Sequence, residues 1–365
     1  MADRGVVLQL LGPSTGGIRR HVVELARRLG ERGWVSPIAG PAGVLGDLGT
    51  LDHVVPVPAA PTPTLVAARR ALRAAVAASG ADVVHAHGLK AGWLATLAGL
   101  DRPVVVTVHN LVLDEAAGRQ AGLLRALEAR LPRRADGVIA VSPAIAERFA
   151  GLPGAERVRV ARPVGPVPTP TRTPAEVRAG LNVAPDAPLV VTVARLHPQK
   201  DLPTLVRAAV ALRVRVPGVH VVVVGEGPDQ GALTDLAKEL GVDDTVVLAG
   251  PSPDAADEMG AADVVAMCSL WESGPLVVAE ALQLGRPVVA TPVGFVPDLI
   301  EDGVSGRIVP VGDAAALAAA LGDVLADPSG AARLAAAGAR AVDEVLGPDR
   351  LVGDVERTYD EVASR

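Results

Sequence analysis

The sequence contains little cysteine, aromatic residue or lysine. It has one cysteine, Cys268, so the chain can form neither an internal disulfide nor a cysteine-rich metal site. Aromatic residues make up 2% of the chain, so its cores must be built mainly from Ala, Val and Leu. Lysine occurs only at positions 90, 200 and 238. The single thiol favours a reducing, cytoplasmic location.

Features of membrane-spanning and nucleic-acid-binding proteins are also missing. No apolar run approaches the ~18 residues of a spanning helix, and the run at residues 6–11 is too short and wrongly flanked for a signal peptide. The net charge of −6 argues against nucleic acid as the main partner. Residues 1–165 carry 20 basic and 13 acidic side chains, whereas the rest carry 15 and 28. This asymmetry predicts two domains, of which the basic one is the candidate for an anionic ligand or surface.

Short apolar runs alternate with helical patterns along the chain, which is typical of parallel sheets covered by helices on both faces. Residues 163–188 are rich in Pro and Thr and are interpreted as beginning with an interdomain linker. We therefore predict an α/β protein of two doubly wound, Rossmann-like domains, 1–165 and 166–348, and a C-terminal helix, 349–365, that returns to the first domain. The predicted strands are Val6–Leu11, Val54–Val57, Asp82–His87, Val104–His109, Gly137–Ser142, Arg157–Arg162, Leu189–Ala194, Val219–Val224, Val246–Leu248, Val264–Met267 and Pro287–Ala290.

The strongest functional signal is the segment 271–282. A helix is expected to begin around Gly274 and Pro275, because Pro is favoured in the first helical turn, and its free N–H groups would form an anion site. Glu280, about one and a half turns further on, could accept hydrogen bonds from a ribose diol, and Glu272 could meet sugar hydroxyls. The alternative is a helix whose acidic residues only stabilise its positive end.

Two further loops follow predicted strands. Arg195 and Lys200 could converge on a diphosphate and stabilise a leaving group, although a solvated loop charge is the common alternative. A glycine-rich loop at residues 12–17 joins the first strand to the first helix. Glycine lets backbone approach a ligand closely, but tight turns use glycine too.

Three histidines, His85, His87 and His109, are predicted at the ends of neighbouring strands. Three at one sheet edge indicate either a site or a structural cluster. Their spacing matches no common zinc pattern. His21, on the first helix, is interpreted as an ordinary helix residue.

In this order, these segments resemble glycosyltransferase family 4, whose GT-B fold has two Rossmann-like domains facing across a cleft. The resemblance covers essentially the whole chain. It rests on Gly16-Gly17 before a helix, Asp82–His87, Thr107–His109, Val141-Ser142, Arg195 with Lys200, Gly225–Pro228, Glu272 with Glu280, Gly285–Thr291, Gly294 and Glu301–Gly303. Residues 162–165 and 273–275 depart from the family pattern and leave the donor and the hinge behaviour open.

The resemblance implies retaining transfer of a hexose-type sugar from a nucleotide-diphosphate sugar to a hydroxyl acceptor, with no cofactor and no metal. It implies that Arg195 and Lys200 bind the diphosphate, Glu280 the ribose and Glu272 the donor sugar, and that His109 faces the reaction centre. The catalytic candidates are thus His109, Glu272, Arg195 and Lys200; the donor-binding candidates are Gly16, Gly17, Arg195, Lys200, Glu272, Gly274, Pro275, Leu276 and Glu280; the acceptor-side candidates are His85 and His87.

Several alternatives stay open at the level of sequence. The same fold serves nucleotide-sugar epimerases and phosphorylases, and a non-catalytic nucleotide-sugar-binding protein would keep the same charged residues. The acceptor is a lipid, a glycan or a small metabolite. A leucine stripe with flanking arginines at residues 118–134 indicates either an ordinary domain helix, which we favour, or peripheral contact with an anionic membrane at the inner face of the plasma membrane.

Overall fold

The computed structural model describes residues 4–14, 17–58, 64–110, 121–163, 165–252 and 255–364. The chain forms two compact units. The N-terminal unit comprises Met1–Pro166 and Gly347–Arg365, and the C-terminal unit comprises Val167–Leu346. Each is a parallel sheet with flanking helices, which confirms the predicted α/β class.

The N-terminal unit is built on one parallel sheet. Its strands are β1 (Gly5–Leu11), β2 (Trp34–Val35), β3 (Ile38–Gly40), β4 (His53–Val54), β5 (Val83–His87), β6 (Val104–Val108), β7 (Gly137–Ala140) and β8 (Val158–Val160). They lie in the order β4-β3-β1-β5-β6-β7-β8, and β2 pairs with β1. The chain thus builds outward in one direction from β1 and then in the other from β5. Ligands of such sheets bind at the carboxyl ends of the strands where the order reverses.

Helices cover both faces of this sheet. They are α1 (Gly17–Glu31), α2 (Thr64–Ser79), α3 (Leu89–Leu97), α4 (Ala121–Glu128), α5 (Leu131–Arg134) and α6 (Pro143–Glu147). The strands are apolar because both faces are covered: Val7, Leu8 and Leu10 are fully buried. Gln9, buried among them, is polar and belongs to the site described below.

The last helix of the chain, Pro348–Ala363, packs on the N-terminal unit. A Cβ placed on Gly137 of β7 would lie 2.9 Å from Thr358 Cγ2, so helix and strand are in close contact. Glu356 on this helix is buried and accepts hydrogen bonds from Arg4 at 2.7 Å and from the Trp34 indole at 2.9 Å. The hydrogen bonds give the buried carboxylate the partners that it requires.

The C-terminal unit repeats the architecture. Its strands are β9 (Leu189–Val193), β10 (His220–Val224), β11 (Val246–Gly250), β12 (Val264–Met267), β13 (Val288–Ala290) and β14 (Arg307–Ile308), in the order β11-β10-β9-β12-β13-β14. Its helices are α7 (Pro174–Gly180), α8 (Leu202–Arg215), α9 (Gln230–Glu239), α10 (Ala256–Ala261), α11 (Leu276–Gln283), α12 (Val296–Leu299), α13 (Ala314–Ala326) and α14 (Pro328–Leu346), and the helix Pro348–Ala363 of the other unit is α15. Here the order reverses between β9 and β12.

Some predicted elements differ from the structure. The short strands β2, β3 and β14 were not predicted, and the strand predicted at Val54–Val57 is His53–Val54. Helices α13 and α14 follow one another almost directly and are separate, because Pro328 cannot continue the hydrogen bonding of the preceding helix.

The leucine stripe predicted at 118–134 is not one helix in the described part, because α4 ends at Glu128 and α5 begins at Leu131. Residues 118–120 lie outside the described residues. Leu123 is exposed and Leu131 is fully buried, so the two leucines do not share one surface. Membrane contact stays a prediction. Within the described residues, no helix has the length and apolar character that crossing a bilayer requires.

Candidate donor site and histidine cluster

The charged candidates of the C-terminal unit lie where its strand order reverses. Arg195 and Lys200 follow β9, and Glu272 follows β12. The two strands are paired in parallel, with Val191 opposite Val265. The loops that follow them therefore leave the same edge of the sheet, at the position where open α/β sheets bind ligands.

Lys200 and Glu272 form an ion pair across these two loops. The Glu272 carboxylate is mostly buried and also accepts a hydrogen bond from Ser269 Oγ at 2.9 Å. The Gln199 side chain donates to the Trp271 carbonyl at 2.8 Å, which ties the loops together through the backbone. The lysine is thus held in place before any anion arrives.

Arg195 is placed differently from Lys200. Its side chain is exposed and makes no hydrogen bond or ion pair with the residues that the structure describes. The convergence of both cations on one ligand therefore stays a prediction. It requires the Arg195 side chain to move toward a bound anion.

Helix α11 begins at Leu276, and Pro275 is its N-cap residue. The predicted start at Gly274 and Pro275 was one to two residues early, and Pro275 supplies no side-chain cap to the first N–H groups. Glu280 lies one turn into the helix and is 5% exposed. Because helical side chains lean toward the N-terminus, its carboxylate is directed toward the helix start.

Two glycines that are not among the predicted site residues hold the two loops in place. A Cβ on Gly294, whose φ is 63°, would lie 2.9 Å from Pro275 Cδ and 3.2 Å from the Glu272 carbonyl. A Cβ on Gly227 would lie 2.3 Å from the Leu196 carbonyl. Only glycine permits such close backbone approach. Their family motifs were noted in the sequence, but the contacts became visible only in the fold.

The histidines of the N-terminal unit lie on the other reversal point, between β1 and β5. His85 and His87 are on β5, and His85 is paired in register with Gln9 of β1. His109 directly follows the neighbouring strand β6. The predicted grouping at one sheet edge is thus present for His87 and His109.

His85, predicted on the acceptor side, lies inside the N-terminal unit and not at its surface. It is fully buried, and its ring nitrogens are hydrogen-bonded to the Tyr359 hydroxyl and to Thr107 Oγ1, both at 2.6 Å. Burial, aided by repulsion from His21, lowers the pKa of His85 to about 3. Since both ring nitrogens are hydrogen-bonded within the protein, neither is exposed to an acceptor.

His87 and His109 form a linked pair of neutral imidazoles. His87 Nδ1 and His109 Nε2 are 3.1 Å apart, and His87 Nε2 is 2.8 Å from Gln9 Oε1. Burial holds the pKa of both well below 6.5, and neighbouring histidines lower it further. At neutral pH, His109 is therefore a hydrogen-bonding group and not a cation.

His21 completes this cluster, which contradicts its interpretation as an ordinary helix residue. Its ring lies 5.3 Å from that of His109 and 5.8 Å from that of His87, measured between centroids. His21 lies one turn after Gly17, the first residue of α1, and its side chain is buried. Gly16 of the predicted donor loop lies outside the described residues.

Two family models match the chain. The model for glycosyltransferase family 4 matches residues 15–163, and that for glycosyl transferases group 1 matches residues 175–341. The D-inositol 3-phosphate glycosyltransferase of Xylanimonas cellulosilytica is 32% identical over 96% of this chain and 93% of its own length. The chain belongs to glycosyltransferase family 4. The resemblance inferred from the sequence is confirmed.

Other relatives match over a shorter length. The D-inositol 3-phosphate glycosyltransferase of Nocardia farcinica is 35% identical over 73% of this chain, which spans 63% of that relative. Among solved structures, Anabaena HepE in complex with UDP and glucose has a TM-score of 0.84 at 22% identity, covering 98% of this chain and 100% of its own. This likeness shows the shared fold, GT-B.

Proposed function

We propose that this family 4 member is a retaining glycosyltransferase that moves a hexose-type sugar from a nucleoside-diphosphate sugar to a hydroxyl acceptor. The observation that carries the proposal is the ion pair of Lys200 and Glu272 at the reversal point of the C-terminal sheet, beside the start of α11. A cation, an anion-binding helix start and two carboxylates at one sheet edge match the parts of a nucleotide sugar.

Each donor group has a partner of suitable chemistry. The diphosphate competes with Glu272 for Lys200 and draws in the exposed Arg195, so that two cations stabilise the charge on the leaving group. The buried carboxylate of Glu280 accepts hydrogen bonds from the ribose diol. Glu272, freed from part of its bond to Lys200, accepts hydrogen bonds from the sugar.

The N-terminal unit contributes His109. We assign it the role that the family pattern gives to its strand-end histidine, contact with the donor sugar. Because burial keeps its imidazole neutral, it can accept or donate one hydrogen bond without adding charge beside the developing oxocarbenium ion. The leaving diphosphate helps to deprotonate the acceptor on the same face, so the transfer itself needs neither a metal nor a carboxylate nucleophile.

A donor screen tests the proposal. UDP-, GDP- and ADP-sugars are added to wild type, to Glu280→Gln and to the control Glu239→Gln, which changes an exposed carboxylate of the same unit. A donor at a hundred times its dissociation constant should raise the free energy of unfolding by about 2.7 kcal/mol. Glu280→Gln should bind that donor tenfold to a hundredfold more weakly, since hydrogen bonds to a charged group contribute about 1.5–3 kcal/mol.

The acceptor panel follows from the relatives. Two of them are named for D-inositol 3-phosphate, so this compound is the first acceptor to test. If no donor stabilises the protein, or if Glu280→Gln responds like wild type, the proposed donor site is wrong.

A further inference from the structure

Three imidazoles from separate elements meet at the carboxyl edge of the N-terminal sheet. His21 comes from α1, His87 is the last residue of β5, and His109 follows β6. One ring nitrogen from each lies within 4.8 Å of the other two. All three side chains are buried, so they meet in a water-poor environment.

The hydrogen bonds prepare His87 to act as a ligand. Gln9 donates from its amide nitrogen to Ser36 Oγ at 3.0 Å, so its oxygen faces His87 Nε2. An amide oxygen only accepts, and His87 therefore carries its proton on Nε2 and has a bare lone pair on Nδ1. A second hydrogen bond that fixes the tautomer and ring orientation in this way is the usual support of a metal-ligating histidine.

We propose that His21, His87 and His109 form a binding site for one divalent transition metal of the zinc type. Three nitrogen ligands suit zinc, cobalt, nickel and copper and not magnesium or calcium, which prefer oxygen. The ion takes the place of the proton that joins His87 Nδ1 to His109 Nε2, and that proton moves to His109 Nδ1. The pair therefore binds the metal with no net loss of protons, because the displaced proton stays on the His109 ring.

The distances between the ring nitrogens determine which imidazole must move when the ion binds. Tetrahedral ligation at 2.0–2.1 Å places nitrogens about 3.3 Å apart. His87 and His109, at 3.1 Å, are near this value, so the remaining adjustment falls on the third imidazole, His21. Three protein ligands leave the fourth position for one further small ligand, such as a single water molecule.

The metal has a consequence for catalysis, which rests on the proposed function. Because His109 Nε2 already faces His87, the nitrogen left for the donor sugar is Nδ1, and metal binding converts Nδ1 from an acceptor into a donor by moving the proton there. Zinc is therefore an inhibitor of transfer and not a cofactor, and a chelator should restore activity.

Cobalt binding tests the site directly. Co²⁺ is titrated into the metal-free, full-length protein, the visible absorption of tetrahedral cobalt is followed, and equilibrium dialysis gives the stoichiometry. Wild type should bind one equivalent that Zn²⁺ displaces. His21→Ala, His87→Ala and His109→Ala should each bind at least tenfold more weakly, whereas the control His53→Ala, on β4 of the same unit, should bind like wild type.

A further variant distinguishes loss of the metal site from loss of cobalt binding through misfolding. Gln9→Leu keeps all three ligands and removes the hydrogen bond behind His87, and it should weaken cobalt binding about tenfold. Circular dichroism confirms that each variant is folded. The proposed site is wrong if wild type binds cobalt no more tightly than a variant in which His21, His87 and His109 are all replaced by alanine. These binding measurements need no donor or acceptor, so they decide the metal site even if no transfer is found.

Discussion

Mild acid should destabilise the N-terminal unit through its buried histidines. Burial lowers the pKa of His85 to about 3 and holds those of His87 and His109 well below 6.5. As the pH falls through 6.5, the unfolded chain takes up protons at these positions and the folded unit does not. The unfolded state then binds more protons, so stability falls with falling pH.

The size of the effect follows from the unfolded pKa. Each imidazole that stays neutral in the folded unit lowers the free energy of unfolding by about 2 kcal/mol between pH 7 and pH 5. His85 alone therefore lowers it by about 2 kcal/mol, and the lowered pKa values of His87 and His109 act in the same direction. Most carboxylates contribute little in this window, because unfolded Asp and Glu titrate near pH 4. Glu128 is different: burial raises its pKa, so it acts in the opposite direction.

Urea unfolding at pH 7 and pH 5 measures the effect in a Trp271→Phe background, where Trp34 and Trp93 both report on the N-terminal unit. His85→Gln removes one titrating group, so the loss between the two pH values should be smaller than in wild type by about 2 kcal/mol. His53→Gln provides the reference for replacing a histidine in this unit. An equal loss in His85→Gln and wild type would refute the reasoning.

Three further changes probe the scaffold. Gly294→Ala should weaken donor binding at least tenfold by displacing the loop before α11, whereas Gly303→Ala, also at positive φ but with open space around it, should leave donor affinity unchanged in calorimetric titrations. Tyr359→Phe removes the hydroxyl bound to His85 and should lower the free energy of unfolding of the N-terminal unit by about 1–2 kcal/mol in urea; no change would show that the hydroxyl bond adds nothing. Burial raises the pKa of Asp257, but hydrogen bonds from Arg172 and Thr171 outweigh it and lower the pKa to about 2. Asp257→Asn should therefore destabilise the C-terminal unit by about 2 kcal/mol at pH 7, read from Trp271 fluorescence, and the difference from wild type should shrink as the pH falls from 3.8 toward 2, because the wild-type carboxylate loses its advantage there.

The central strands could be predicted from the sequence because they are buried on both faces. Val264–Met267 was predicted with its observed bounds, since a run of apolar residues is all that a buried parallel strand requires. The two-residue strands β2 and β14 could not be found in this way, because their pairing depends on neighbours distant in sequence and not on a pattern of their own.

In the candidate site, too, some residues could be predicted from local sequence and others could not. Lys200 and Glu272 were identified from motifs, and the fold places them in contact because β9 and β12 are neighbours. His21 was missed because a single histidine on an amphipathic helix has no local signal. Its approach to His87 and His109 depends on how α1 lies against the sheet, which no local pattern encodes.

The configuration of the product tests the central claim most directly. Wild type is incubated with the stabilising α-linked nucleotide sugar and the acceptor panel, and the new anomeric signal is read by nuclear magnetic resonance. The account predicts an α-linked sugar on an acceptor hydroxyl, with a much reduced yield for Glu280→Gln. A β-linked product would contradict retention, and conversion of the donor sugar to its epimer without any transfer would contradict the assignment as a transferase.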